Sequence, residues 1–251
     1  MLARTLDRLS WPLAVTVALW SLTLLWDASA LDVRVMQAIG TAQGFALRNH
    51  PWLQQYLHDD VRWLAWGVYA LLWVGCIKPA GPWAQWSRSE RWLMLWGITL
   101  ALLSVTLLKR QSLTSCPWEL SDFGGTAHYV SHWTWGVRDG GSGHCFPGGH
   151  ASTAMAFLAL ALPGLHHPER RQQQRALKLL AVIAGLGLLL GGVQTLRGAH
   201  YPSHTLWTAT LCWSSAWLSW QLWHQGQRVW PRVAPRLQPQ RPASPLPDNI
   251  G

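Results

Sequence analysis

The chain has 251 residues and a formal net charge of +9, and its composition is 49% apolar, only 12% charged, with 20 Trp. That balance favours a membrane setting over a soluble helical domain, because Trp in such excess suits anchoring at headgroup level. The mean hydropathy is only +0.07, since polar loops and an Arg/Pro-rich tail dilute the apolar stretches.

Six uncharged runs follow one another: residues 10–26, 63–77, 92–108, 151–165, 179–196 and 205–223. Several are shorter than the roughly 20 residues that cross about 30 Å of hydrocarbon. Flanking Trp and Arg side chains snorkel and make up the difference. The spacing therefore predicts an all-α, polytopic membrane bundle of six transmembrane helices over residues 1–228, with a periplasmic loop region. The first run is read as an anchor rather than a cleaved signal peptide, Asp27-Ala28-Ser29-Ala30 being a weak cleavage candidate. From residue 229 to 251, Pro at 231, 235, 239, 242, 245 and 247 predicts a disordered cytoplasmic tail.

Lys and Arg set the orientation. With the N-terminus in the cytoplasm, thirteen of the twenty lie inside, including Arg88, Arg91, Arg170, Arg171, Arg175 and Lys178. The positive-inside rule then places both termini in the cytoplasm, and the net charge needs no nucleic-acid partner. The same topology brings three polar clusters to the outer face, the periplasmic one in a two-membrane bacterium. They are Lys109 with Cys116-Pro117, then Phe146-Pro147-Gly148-Gly149-His150, then Arg197-Gly198-Ala199-His200 with His204.

Each cluster has phosphate chemistry. Gly148 and Gly149 let backbone N–H groups approach an anion at the start of the run that follows. Lys109 and Arg197 bring two cations to the same face, where charge-assisted hydrogen bonds are strong once partly desolvated. His200 and His204 stand four apart, one above the other if a helix begins near Pro202. That spacing suits zinc as well as a nucleophile with its orienting partner. No His-Glu-x-x-His pattern and no third ligand accompany the pair, so no metal or other cofactor is expected.

At these residues the chain resembles the type-2 phosphatidic acid phosphatase and vanadium haloperoxidase superfamily. The family pattern is Lys-x6-Arg-Pro, then Pro-Ser-Gly-His, then Ser-Arg-x5-His-x3-Asp. Here it reads Lys109-x6-Cys116-Pro117, Pro147-Gly148-Gly149-His150, and His200-x3-His204 with Arg197 nearby, a core from about Lys109 to Trp207. The chain departs from it at several positions. Cys116 replaces an Arg, Gly148 a Ser, and His204 the Asp that orients the histidine. Gln194 occupies the second Arg position, with Arg197 one helical turn further on.

The resemblance implies metal-independent phosphoryl transfer from a membrane lipid phosphate or pyrophosphate. His200 would be the nucleophile, forming a phosphohistidine, and His150 the general acid and base. Lys109, Gly148, Gly149 and Arg197 would hold the phosphate. His204, Glu119, Asp122 and Asp139 are all candidates to orient His200. Cys116 and Cys145 border the loop between the first two motifs on the oxidising side, where a disulfide is expected. Trp118, Trp133 and Trp135 in that loop are read either as a lipid guide or as a lid packed on the helices. A lipid phosphotransferase with a polyprenyl pyrophosphate donor and a non-catalytic lipid-binding membrane protein stand as alternatives. The expected location is the bacterial inner membrane with the active site periplasmic; the particular lipid and the oligomeric state stay open.

Overall fold

In the computed structural model residues 2–233 are described, and no strand occurs among them, only isolated bridges at Thr41 with Gly44 and Leu120 with Ala127. The helices are α1 (Leu2–Ala28), α2 (Leu31–Ile39), α3 (Pro51–Gln54), α4 (Val61–Ile77), α5 (Arg88–Gln111), α6 (Gly149–Met155), α7 (Leu162–Leu165), α8 (Arg170–Leu196) and α9 (Pro202–Val233). All six uncharged runs fall in helical backbone. Helix α9 continues to Val233, past the boundary expected at 229, and residues 234–251 of the expected tail lie outside the described residues.

By length and composition, Trp11–Ala28, Arg88–Gln111 and Arg170–Leu196 can each cross a membrane, while Val61–Ile77 and Gly149–Leu165 are shorter apolar helices. The Gly149–Leu165 stretch is not continuous α-helix, because Ala156–Ala161 forms a 3-10 segment. Pro163 has no N–H to offer the Ala159 carbonyl, which instead accepts from Leu162 three residues on. The larger rise of the 3-10 turns stretches these residues to roughly 28 Å, close to a hydrocarbon thickness.

The sixth run reads as only weakly apolar because α9 is the central helix and its hydroxyls face its neighbours. Thr210 bonds Thr23 of α1 at 2.8 Å, Ser214 accepts from Trp20 at 3.1 Å, and Ser215 lies 3.4 Å from Ser104 of α5. Trp213, fully buried, donates to Thr16 at 2.8 Å. Such interhelical bonds, with close approach at small residues, hold helices together where burial in lipid provides no driving force. Leu25, Leu71, Ile77 and Leu189 meanwhile stay exposed on the outside of the bundle.

One apolar core, including Ile98, Val105, Met155, Leu158, Trp213 and Ala216, lies among α5, the Gly149–Leu165 stretch, α8 and α9. A second, smaller core of Met36, Phe45, Leu120, Phe123, Ala127 and Tyr201 packs α2 and the long loop over the α8–α9 turn. Helix starts are locally encoded. Ser87 and Glu90 make a reciprocal capping box on α5, and Asp32 of α2 accepts the Ser203 N–H at 3.0 Å, capping α9.

Candidate active site

The C-terminal ends of α5 and α8 and the N-terminal ends of α6 and α9 are fastened to one another. Gly148 N–H donates to the His204 carbonyl at 3.1 Å, and the Thr208 hydroxyl lies 2.8 Å from the carbonyls of both Gly148 and His204. This joins the second motif to the third. A Cβ on Gly149 would sit 3.7 Å from Cδ and Cε of Lys109, so the lysine stem runs along the start of α6. Trp118 N–H donates to the Gly198 carbonyl at 2.9 Å, linking the loop after the first motif to the turn before His200. Cys116 and Cys145 are bonded, with Cα atoms 5.2 Å apart, and close the loop between them.

That turn is built by α8. Gly198 takes φ +75°, and a Cβ there would come within 2.2 Å of the Phe45 ring, so only glycine fits. The Gln194 carbonyl then receives the N–H of Ala199 at 2.8 Å and of His200 at 3.3 Å. His200 is thereby delivered, buried, between α8 and α9. Its Nδ1 lies 3.3 Å from Nδ1 of His204, also buried, and 3.4 Å from the Cys145 sulfur. With Nδ1 engaged on that side, Nε2 is the nitrogen left for chemistry. Burial holds the His200 imidazole well below its ordinary pKa, and positive charge on Lys109, His204 and His150 pushes in the same direction.

The candidates to orient His200 separate cleanly. Asp139 is buried but accepts from the Ser115 N–H and hydroxyl, both at 2.6 Å, and from Gly141 N–H at 3.1 Å. Glu119 accepts from Cys116 N–H at 2.9 Å, while Asp122 is exposed. His204 is the one of the four bonded to His200. Cys116, Cys145 and His200 offer ligand atoms within 4.8 Å of one another. Since the two sulfurs are bonded together, neither is a thiolate and the group makes no metal centre.

Arg197 is buried, and its guanidinium donates from Nε and Nη2 to the Arg48 carbonyl at 3.1 and 3.0 Å and from Nη1 to Gln194 Oε1 at 3.2 Å. The sequence predicts this cation at the phosphate and does not reveal those partners. Asp27 figures in the sequence only as part of a weak cleavage candidate, not as a site residue. Its carboxylate accepts from Trp207 at 2.8 Å and Trp133 at 3.0 Å and pairs with His132 at 3.2 Å. His132 in turn stacks on Phe146 at 4.1 Å, and Phe146 meets His204 edge-on at 5.3 Å. The loop tryptophans thus divide: Trp133 is latched onto α1 and α9, whereas Trp135 is 75% exposed.

Beside Lys109 a cavity of about 470 Å³ opens between α4, α5 and α6. Its walls include Trp66, Tyr69, Val105 and Phe157, and Lys109 and Gly149 lie at its polar end.

A search of curated proteins finds no match. Among solved structures, the chain is similar to one described as the first transmembrane PAP2 type phosphatidylglycerolphosphate phosphatase from Bacillus subtilis. The two share 16% identity and a TM-score of 0.51, over 90% of this chain and 98% of that one. At that identity the likeness establishes the fold. The family model of the PAP2 superfamily matches residues 90–228, more than half of the sequence and all three motif segments, and the chain belongs to that superfamily.

Proposed function

We propose that the protein is a membrane-embedded phosphatase that hydrolyses a lipid phosphate or pyrophosphate at the periplasmic face of a bacterial inner membrane. The observation that carries this reading is the cavity of about 470 Å³, whose walls are apolar and whose polar end holds Lys109 and the start of α6. A phosphate seated there keeps its hydrocarbon chain on apolar side chains, between helices that face the bilayer. Membership of the PAP2 superfamily supports phosphatase chemistry.

In this mechanism His200 Nδ1–H donates to His204 Nδ1, which leaves a lone pair on Nε2. That nitrogen attacks phosphorus, the P–O bond to the leaving group breaks, and His150 protonates the departing oxygen. His150 then takes a proton from water as its oxygen attacks the phosphohistidine, releasing inorganic phosphate and restoring His200. Lys109 and the Gly149 N–H carry the charge on the phosphoryl oxygens, and Arg197 adds positive potential from its seat on the Arg48 carbonyl; the Gly148 N–H, expected to join them, is taken by the His204 carbonyl instead.

The test is phosphate release by purified protein in detergent, with EDTA, from phosphatidic acid, phosphatidylglycerophosphate, undecaprenyl pyrophosphate and lipid A. Release that persists in EDTA and vanishes in His200→Ala is expected. A doubly phosphorylated lipid in place of free phosphate would make the protein a transferase, and no turnover of any lipid by folded protein would sink both readings.

A further inference from the structure

Gln194 stands where the family pattern carries an arginine, and its surroundings set it apart from an ordinary buried amide. The residue is 1% exposed on the last turn of α8, and its own carbonyl holds the N–H groups of Ala199 and His200. Its side-chain oxygen accepts from Arg197 Nη1 at 3.2 Å, and Arg197 is itself forked onto the Arg48 carbonyl at 3.1 and 3.0 Å. Because a guanidinium only donates, this contact fixes which way the amide is turned: oxygen toward Arg197, NH2 away. That NH2 is buried and has no acceptor among the described residues.

A buried amide donor left unpaired is destabilising, and native structures seldom keep one without a reason. The same short stretch of chain holds three more buried polar atoms without a partner, Ser203 Oγ, His204 Nε2 and Thr205 Oγ1. Consecutive helical side chains point about 100° apart and Thr205 lines a separate apolar cavity with Leu22 and Trp26, so those three atoms do not converge, and the Gln194 amide is the donor that lies beside the turn carrying His200. A buried amide donor whose orientation is fixed in this way is complementary to an oxyanion.

Resting on the phosphoryl-transfer reading, we propose that Gln194 Nε2 is a phosphate-binding donor of this site, and that Arg197 is a positioning residue that acts through it. The cation that the motif places on the phosphate is thereby moved one turn along α8 and replaced, at the ligand, by a neutral amide whose orientation the cation enforces. Of the motif residues, Lys109 is then the cation at the phosphate, beside neutral N–H donors.

Orthovanadate serves as the probe, binding being followed by titration calorimetry on the full chain in detergent, with melting temperature recorded alongside. Gln194→Glu keeps the shape and the acceptor for Arg197 but removes the donor and adds a negative charge. It is expected to melt within a few degrees of the wild type and to bind vanadate about a hundred-fold more weakly. Gln194→Leu, also without the donor, should lose about ten-fold, and Gln194→Arg, which returns a cation to the position, should bind at least as tightly as wild type. A purely structural Gln194 would show the reverse pattern, with melting temperatures that fall and vanadate affinity unchanged in each variant that folds. Wild-type affinity in Gln194→Glu and Gln194→Leu overturns the assignment and leaves the phosphatase reading intact. Wild-type protein that neither binds vanadate nor releases phosphate overturns both.

Discussion

His200 is held in the form a nucleophile requires. Its burial, together with the positive charge that surrounds it, favours the neutral imidazole and lowers its pKa from the usual 6.5. The sign matters for rate: protonation removes the attacking lone pair, so a lowered pKa keeps the enzyme active into more acidic solution. The acid limb of kcat/KM is expected below pH 6.5, and a limb at or above that value would show that His200 is not the titrating nucleophile. Replacing its partner moves that limb predictably. In His204→Asp a carboxylate beside the ring favours the imidazolium, so the acid limb should rise by about one pH unit or more relative to wild type. His150→Ala should lower kcat about 10²–10⁴-fold, the range of a lost general acid, while vanadate binding is kept.

The α8–α9 turn is the element on which the site depends, and its conformation rests on one residue. Gly198→Ala places a side chain at φ +75° and drives it into Phe45, so a loss of about 1–3 kcal/mol is expected, read as a lower melting temperature. Adding Phe45→Ala should relieve the clash but not the backbone strain, and full rescue would show that φ was never the problem. The Cys116–Cys145 bond, 29 residues apart in sequence, restrains the neighbouring loop, and Cys116→Ser with Cys145→Ser should remove about 2–4 kcal/mol. The motif segments around Lys109, His150 and His200 were legible beforehand, since each is a short stretch of chain that resembles the family pattern. The direction of Arg197 was not, because the Arg48 carbonyl that receives it belongs to a loop 149 residues away. Asp27 and Asp32 escaped for the same reason: their partners His132 and Ser203 stand 105 and 171 residues further on, and no periodicity marks such contacts. The 3-10 turns of Ala156–Ala161 lie in a run whose apolar composition suits either helix type.

At the scale of the whole molecule, the uncharged runs located the helices, the central one included, although that one is only weakly apolar. Helix α9 looks least like a membrane segment because it is the most surrounded, and Thr23, Ser104 and Thr16 on its neighbours satisfy polar atoms that a lipid-facing helix could not carry. The arrangement leaves α4 on the outside, mostly exposed, where it forms one wall of the cavity beside Lys109. A wall of that kind makes chain recognition separable from phosphate chemistry. Thr106, exposed on α5, lines the cavity without belonging to the motifs, so Thr106→Trp fills apolar space and leaves Lys109, His150 and His200 in place. Its kcat/KM for a long-chain lipid phosphate should fall about ten-fold, while that for a short, water-soluble phosphate ester stays within about two-fold of wild type. Equal losses on both substrates would mean that the substitution had disturbed the phosphate site. An unchanged rate on both would mean that the hydrocarbon chain lies elsewhere and that this cavity between α4 and α5 is only a seat for bilayer lipid.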